Sequence, residues 1–320
     1  MNYVFISRHS ERKNNPNSEI YSHQDRQNII KNYEKSSRFK ENPYDPNLTI
    51  FGIESAKQMG KNIIQTIQNN LDAPKKIKIF SSPFARCIET AGEIQNVLKH
   101  NGFGENPIHV EYGISESIRY PNLISWNQNK YTFEYKNFTS DEHLEEKGIN
   151  NNINLDNQMQ IQNLVQRFDK YSFETNYKPF TPFQNSFKQN YIDYANRISF
   201  TCQKILDENP NTFLIIILHG HGVLFTFDYF FKQTFGEKEY INLLSPSGYG
   251  SYFMFKKLQN QKPKLLEFYY GNTQYYKKFP KNNYICLSFQ KMYFIIFLIF
   301  ILFFYLFKNK KLLSKLLFKK

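Results

Sequence analysis

"TFLIIILHGHG" occupies Thr212–Gly222, and its reading decides the fold. From Thr212 to Leu218 the chain is apolar after its first residue, rich in β-branched side chains, and without polar alternation. A strand with one wet face alternates. A strand apolar on both faces is buried on both, as in parallel sheets covered by helices. Directly after the run come His219, Gly220 and His221.

Two other stretches repeat this design. "YVFISRHSER", Tyr3–Arg12, is a strand over Tyr3–Ser7 that runs into Arg8, His9, Glu11 and Arg12. "KIKIFSSPFAR", Lys76–Arg86, is a strand over Lys76–Ser81 followed by a helix start, with Ser82 as N-cap and Pro83 at the first helical position. Ile88, Ala91, Ile94 and Leu98 then fall on one helical face.

Working outward, Thr49 caps a helix whose inward positions are Ile50, Ile53, Ala56, Met59 or Gly60, Ile63, Ile64 and Ile67. His109–Tyr112 reads as a short strand. Tyr191–Asp207 reads as a helix with Tyr194, Ile198, Cys202, Ile205 and Leu206 on one face. Ser251–Phe255 and Leu265–Tyr269 read as later strands. Asn14–Asn47 is a polar, lysine-rich loop with some helix. Residues 117–187 form an irregular insertion with short helices. Strand–helix alternation predicts an α/β fold of three layers, α/β/α, with a mostly parallel central sheet and an inserted irregular or helical subdomain. This domain spans 1–280.

The formal net charge of the 320 residues is +13. Seven lysines and no acid lie between Lys291 and Lys320, so over half of that excess is local to the tail. No basic stripe with interleaved aromatics occurs, and nucleic acid is not an expected partner. Cys87, Cys202 and Cys286 lie far apart without a CxxC pair, which argues against a disulfide framework and against a zinc site. "MYFIIFLIFILFFYLF", Met292–Phe307, is apolar throughout and bracketed by Lys291 and Lys308. As a helix it spans about 24 Å, and flanking lysines can snorkel to the interface. It is expected to be a C-terminal transmembrane anchor, joined by a linker at 281–291 and followed by a basic tail at 308–320. Such an arrangement leaves the preceding domain in the cytosol, on the endoplasmic reticulum or the mitochondrial outer membrane.

The chemically loaded segments all follow strand ends, and in an open α/β sheet the crevice outside the strands' carboxyl ends is where ligands bind. Arg8 and Arg86 supply planar, permanently charged forks for phosphate oxygens. Arg86 also sits in a helix's first turn, where the dipole favours an anion. A neutral imidazole between them can attack phosphorus in line, and a second histidine can hold the equatorial oxygens. The leaving group then needs an acid. A lone histidine in a strand-end loop carries little weight; the joint occurrence carries the reading.

"SRHSER", "PNLTIFGIESAKQMG", "SSPFARCIETA" and "LHGHGVL" together resemble, in order and placement, the motifs of the histidine phosphatase superfamily, the phosphoglycerate mutase-like fold. The resemblance runs over about residues 3–270, with the insertion poorly matched. It implies His9 as nucleophile, Arg8, Arg86 and His219 around the phosphate, and no metal or other cofactor. His221 is a weaker match for the second histidine. Glu116, in "VEYGISES", resembles the acid, with Glu111 and Glu89 as competitors. Ser10 stands where the family usually has glycine. Glu11 and Arg12 resemble the variant found in the ubiquitin-associated and SH3 domain-containing phosphatases, which makes Arg12 an extra phosphate or substrate contact. The expected activity is metal-independent hydrolysis of phosphomonoesters, of a phosphorylated small molecule or a phosphoprotein. The alternatives are a phosphoglycerate mutase-type phosphotransferase and a pseudo-phosphatase that only binds phospho-ligands.

Overall fold

The structure is a computed structural model that describes residues 1–16, 21–37, 39, 45–116, 164–181, 191–231, 248–258 and 261–269. The chain divides into two units, Met1–Gln274 and Tyr275–Lys320. All described residues belong to the first. The expected linker, anchor and basic tail lie outside the described residues, as do 117–163 and 182–187 of the expected insertion. No helix among the described residues is long and apolar enough to cross a membrane.

Six strands form one sheet: β1 (Asn2–Arg8), β2 (Ile77–Ser81), β3 (Ile108–Val110), β4 (Phe213–Leu218), β5 (Tyr252–Lys257) and β6 (Lys264–Tyr269). Their order is β3-β2-β4-β1-β5-β6. β4 pairs in parallel with both β1 and β2, and β2 with β3. β5 pairs antiparallel with β1 and with β6, so it alone runs against the others. β4 is thus the central strand that its unbroken apolar run predicts, and all six of its residues are buried.

The alternation of strand side chains sorts the core into two halves. Phe213, Ile215 and Ile217 point to the face covered by α2 (Ile50–Asn69) and α3 (Ala85–His100). Leu214, Ile216 and Leu218 point to the face covered by α4 (Tyr191–Glu208) and α5 (Gly220–Phe231). Each such buried side chain contributes about 1.5–3 kcal/mol. A peripheral helix, α1 (His23–Glu34), lies in the polar N-terminal stretch.

Thr49 caps α2 as expected: its Oγ1 accepts from Gly52 N at 2.9 Å. Ile50 is not inward, however; it is 80% exposed. The first inward position is Gly52, where a Cβ would stand 2.3 Å from the backbone oxygen of Glu11. Only glycine lets this helix approach the loop after β1 so closely.

Two further expectations are corrected. Ser82 does not cap α3, because its Oγ is bonded to His219 Nε2 at 2.9 Å. The N-cap position is Phe84, which has no capping side chain, and Asp45 accepts from Ala85 N at 2.8 Å instead. Tyr112 is not in a strand. Glu111 accepts from Gly113 N at 2.7 Å and turns the chain into a single 3-10 turn, Tyr112–Ile114. The later part of the expected insertion, 164–181, belongs to the core: Leu164, Phe168 and Tyr171 pack with α3, and Phe173 bridges in parallel to Ile108.

Candidate active site

The carboxyl ends of β1, β2, β3 and β4 open onto one crevice edge, and each delivers part of one constellation. β1 ends in Arg8 and His9. The turn after β2 delivers Ser82 and Arg86, the turn after β3 delivers Glu116, and β4 is followed by His219. Sequence separations of 30 to 133 residues collapse to hydrogen-bond distances.

The tautomer of His9 follows from its partners. Its Nδ1 lies 2.8 Å from Ser10 O, which can only accept, so Nδ1 carries the proton. Its Nε2 lies 3.2 Å from Arg86 Nε, which can only donate, so Nε2 presents a lone pair. Burial, then the charges of Arg86, Arg8, His219 and Arg12, push His9 well below the ordinary imidazole range. The ring is therefore neutral and oriented, as a nucleophile must be.

Arg86 is 1% exposed and lies in the first turn of α3. Its Nη2 donates to Glu116 Oε2 at 2.7 Å and faces His219 Nδ1 at 3.3 Å. Its Nη1 has no hydrogen bond and lies 3.6 Å from Asp45 Oδ1. Its plane covers the Phe84 ring at 4.3 Å. His219 holds Ser82 through Nε2, and its Nδ1 lies 3.5 Å from Glu116 Oε2. Burial first, opposed by Glu116 and aided by Arg86, Arg8 and Arg12, keeps His219 well below the usual range. The two imidazole centroids are 5.4 Å apart.

The side chain of Glu116 is 40% exposed, so it stands at the mouth. Burial pushes its carboxyl up, but His219, Arg86, Arg12 and Arg8 outweigh this and hold it at about 2. Without ligand, its carboxylate is the anion seated on Arg86. The competing acids are otherwise engaged. Glu89 accepts from Leu48 N at 2.7 Å and from Asn47 Nδ2. Glu111 accepts from Tyr177 OH at 2.5 Å and Phe180 N at 2.9 Å. His221 is exposed and stacks on Phe225 at 6.2 Å.

Arg8 and Arg12 meet at a residue that sequence reasoning missed. Tyr249 places its ring 4.3 Å from the Arg8 guanidinium and 5.7 Å from His9, and its hydroxyl accepts from Arg12 Nε at 3.2 Å and Asn15 Nδ2 at 3.1 Å. Gly250, at φ +69, follows it and donates to His9 O at 3.2 Å. The signal in the sequence was the pair of glycines around this tyrosine ahead of β5. Thr90 is another omission: its Oγ1 accepts from Ser10 N at 2.9 Å and ties the loop that carries His9 to α3.

No family model and no curated protein matches the chain. Solved structures do. The ecdysone phosphate phosphatase from Bombix mori is 14% identical, over 87% of this chain and 100% of that one, with a TM-score of 0.49. A phosphoserine phosphatase from Entamoeba histolytica is 15% identical, over 86% and 98%, with a TM-score of 0.42. A mycobacterial glucosyl-3-phosphoglycerate phosphatase is 11% identical, over 84% and 99%, with a TM-score of 0.41. All three are phosphatases. None of the three is named for the ubiquitin-associated and SH3 domain-containing branch. Likenesses this distant carry nothing about the substrate; the chemistry rests on the residues themselves.

Proposed function

We propose that this protein is a metal-independent phosphomonoesterase that works through a phosphohistidine on His9. The observation that carries this reading is the state of His9: buried, neutral, with Nδ1–H tied to Ser10 O and the Nε2 lone pair beside the guanidinium of Arg86. A phosphoryl group placed there replaces Glu116 on Arg86 and takes up its Nη1 donor, which makes no hydrogen bond and only approaches Asp45 at 3.6 Å. Arg8 and His219 supply further positive or hydrogen-bonding contacts, and Arg12 reaches from the rim. The charge a metal would supply comes from the arginines and the α3 N-terminus.

Nε2 of His9 forms the N–P bond as the ester P–O bond breaks, and the leaving oxygen takes the proton of Glu116. Water then attacks phosphorus, gives its proton to Glu116, and the P–N bond breaks. Glu116 must be protonated for the first step. In the empty site it is an anion, but a phosphate dianion on the arginines removes the attraction that holds it so, and raises its pKa.

The test uses the full-length chain, an aryl phosphate and excess chelator. Phosphate release should persist with chelator and fall by about 10³-fold or more in His9→Ala. Rapid quenching should trap an acid-labile, alkali-stable phosphoprotein. Isomerisation of 3-phosphoglycerate without release would favour the mutase, and binding of phosphate esters without any turnover would favour the pseudo-phosphatase. Tethering through Met292–Phe307, at the endoplasmic reticulum or mitochondrial outer membrane, is a separate proposal resting on that apolar run. The full chain should stay with membranes after alkaline carbonate, and a chain ending before Lys291 should not.

A further inference from the structure

Glu116 does not stand alone; the turn that carries it is pinned from the neighbouring layer. Arg197, on α4, is 8% exposed and directs its guanidinium at backbone oxygens just before the acid. Nη1 donates to Gly113 O at 2.7 Å and Tyr112 O at 3.3 Å, and Nη2 donates to Ser115 O at 3.1 Å. The turn is seated tightly on α4: a Cβ on Gly113 would stand 2.3 Å from Thr201 Oγ1 and 2.8 Å from Thr181 Oγ1. Glu111 holds the turn's other side through Gly113 N.

Burying a cation costs several kcal/mol unless its donors are satisfied. A methionine would fill the same volume without that cost. What the planar fork adds is orientation, since it holds three carbonyls from two nitrogens fixed in one plane, a geometry a rotatable ammonium does not impose. The next residue in the chain is Glu116. A shift of about 1 Å in that residue is enough to take a catalytic group out of reach.

We propose that Arg197 is the positioning residue for leaving-group protonation. By fixing the carbonyls of Tyr112, Gly113 and Ser115 it sets the place where the Glu116 carboxyl meets the ester oxygen. This rests on the phosphatase reading above and extends it to a substrate class. An aryl oxygen with an electron-withdrawing ring departs as a stable anion and needs little protonation. An alkyl oxygen needs a proton as its P–O bond breaks. Arg197 is therefore what admits alkyl phosphomonoesters as substrates.

The experiment compares the full-length chain with Arg197→Met and Arg197→Lys on 4-nitrophenyl phosphate, phenyl phosphate and glycerol 2-phosphate. In Arg197→Met, kcat/KM on glycerol 2-phosphate, which reads formation of the phosphohistidine and not its hydrolysis, should fall by about 100-fold, the scale of general acid catalysis. The loss on 4-nitrophenyl phosphate should be less than about a tenth of that, with phenyl phosphate between. Arg197→Lys should recover part of the loss, and adding Glu116→Gln to Arg197→Met should lower kcat/KM on glycerol 2-phosphate little further, because both changes remove the same proton transfer. An equal loss on all three esters, or fully additive losses, overturns the proposal while leaving the phosphatase reading intact. If Arg197→Met does not fold, Arg197→Lys carries the comparison; failure of both to fold assigns Arg197 to the scaffold and overturns the proposal. A parent chain that releases phosphate from none of the esters overturns both.

Discussion

Ser10 follows the proposed nucleophile, and every atom it offers except one is in use. Its carbonyl takes His9 Nδ1 and its amide donates to Thr90, but its Oγ is buried with no hydrogen-bond partner. An unmade buried hydroxyl bond costs about 1–3 kcal/mol. Among the described residues the non-glycines at positive φ are Asn106 and Asn211, not Ser10, so the backbone does not demand glycine here. Ser10→Ala should therefore raise the thermal unfolding midpoint, by the equivalent of about 1 kcal/mol, and keep turnover. A collapse of kcat in that variant would instead make the hydroxyl a phosphate contact. Tyr249→Phe leaves a ring over Arg8 and takes the acceptor away from Arg12 and Asn15. The expected result is a KM for aryl phosphate several-fold higher with kcat little changed, whereas Tyr249→Ala should lower both kcat and affinity, read from initial rates. Arg8, His9, Arg86, Glu116 and His219 were legible because each is a chemically loaded residue type just past a strand or in a motif. Tyr249, Ser82 and Asp45 were not, because their roles exist only through partners up to 237 residues away.

Helix α2 shows how an element serves the site without touching phosphate. Thr49 caps it, donates its hydroxyl to Glu11 Oε1 at 2.8 Å, and its amide donates to Glu11 O at 3.0 Å. The helix start and the loop after β1 are thus one hydrogen-bonded unit, and Gly52 is the position that lets them close. Gly52→Ala must push that loop aside. It should cost more than the loss of a cap, by several kcal/mol as in other overpacked sites, and should depress kcat by moving His9. Thr49→Ala should cost about 1–2 kcal/mol. Chemical denaturation of both variants, paired with initial rates, separates the two. Periodicity found this helix and its buried side, Ala56, Met59, Ile63 and Ile64, but placed Ile50 inward as well. Spacing gives a face; it does not say that at the first turn the space is already taken by another segment's backbone. The same limit explains Ser82. Ser-Pro is a sound local cap signal, yet its hydroxyl had a stronger use on His219.

At the scale of the whole molecule, the fold has buried three histidines in their neutral form. Burial is the first cause at His9, His109 and His219, and all three lie below their ordinary value of 6.5. A base whose folded pKa is depressed makes the unfolded chain the better proton acceptor below 6.5, so stability is complete above that pH and is lost as pH falls. Each histidine contributes a slope of up to about 1.4 kcal/mol per pH unit. Two carboxyls act with opposite signs. Glu116, held at about 2 against 4.5, adds stability above 4.5 that is lost as pH falls toward 2, a small effect for a side chain at the mouth. Glu111, raised chiefly by burial, takes up its proton more readily folded than unfolded and opposes the loss as pH drops toward 4.5. The window from 6.5 to 4.5 is therefore set by three histidines against the one raised carboxyl. Unfolding midpoints should fall through it, and His9→Ala and His219→Ala should each remove roughly a third of that slope while leaving the midpoint near pH 8 within the effect of the lost packing. Inorganic phosphate should raise the midpoint of the parent by mass action and should do so far less in Arg86→Ala, because the Arg86 guanidinium beside His9 is the group proposed to seat it. A parent whose midpoint is flat from pH 8 to pH 5 would mean that these imidazoles are not held neutral, and the lone pair that the proposed chemistry requires would not be there.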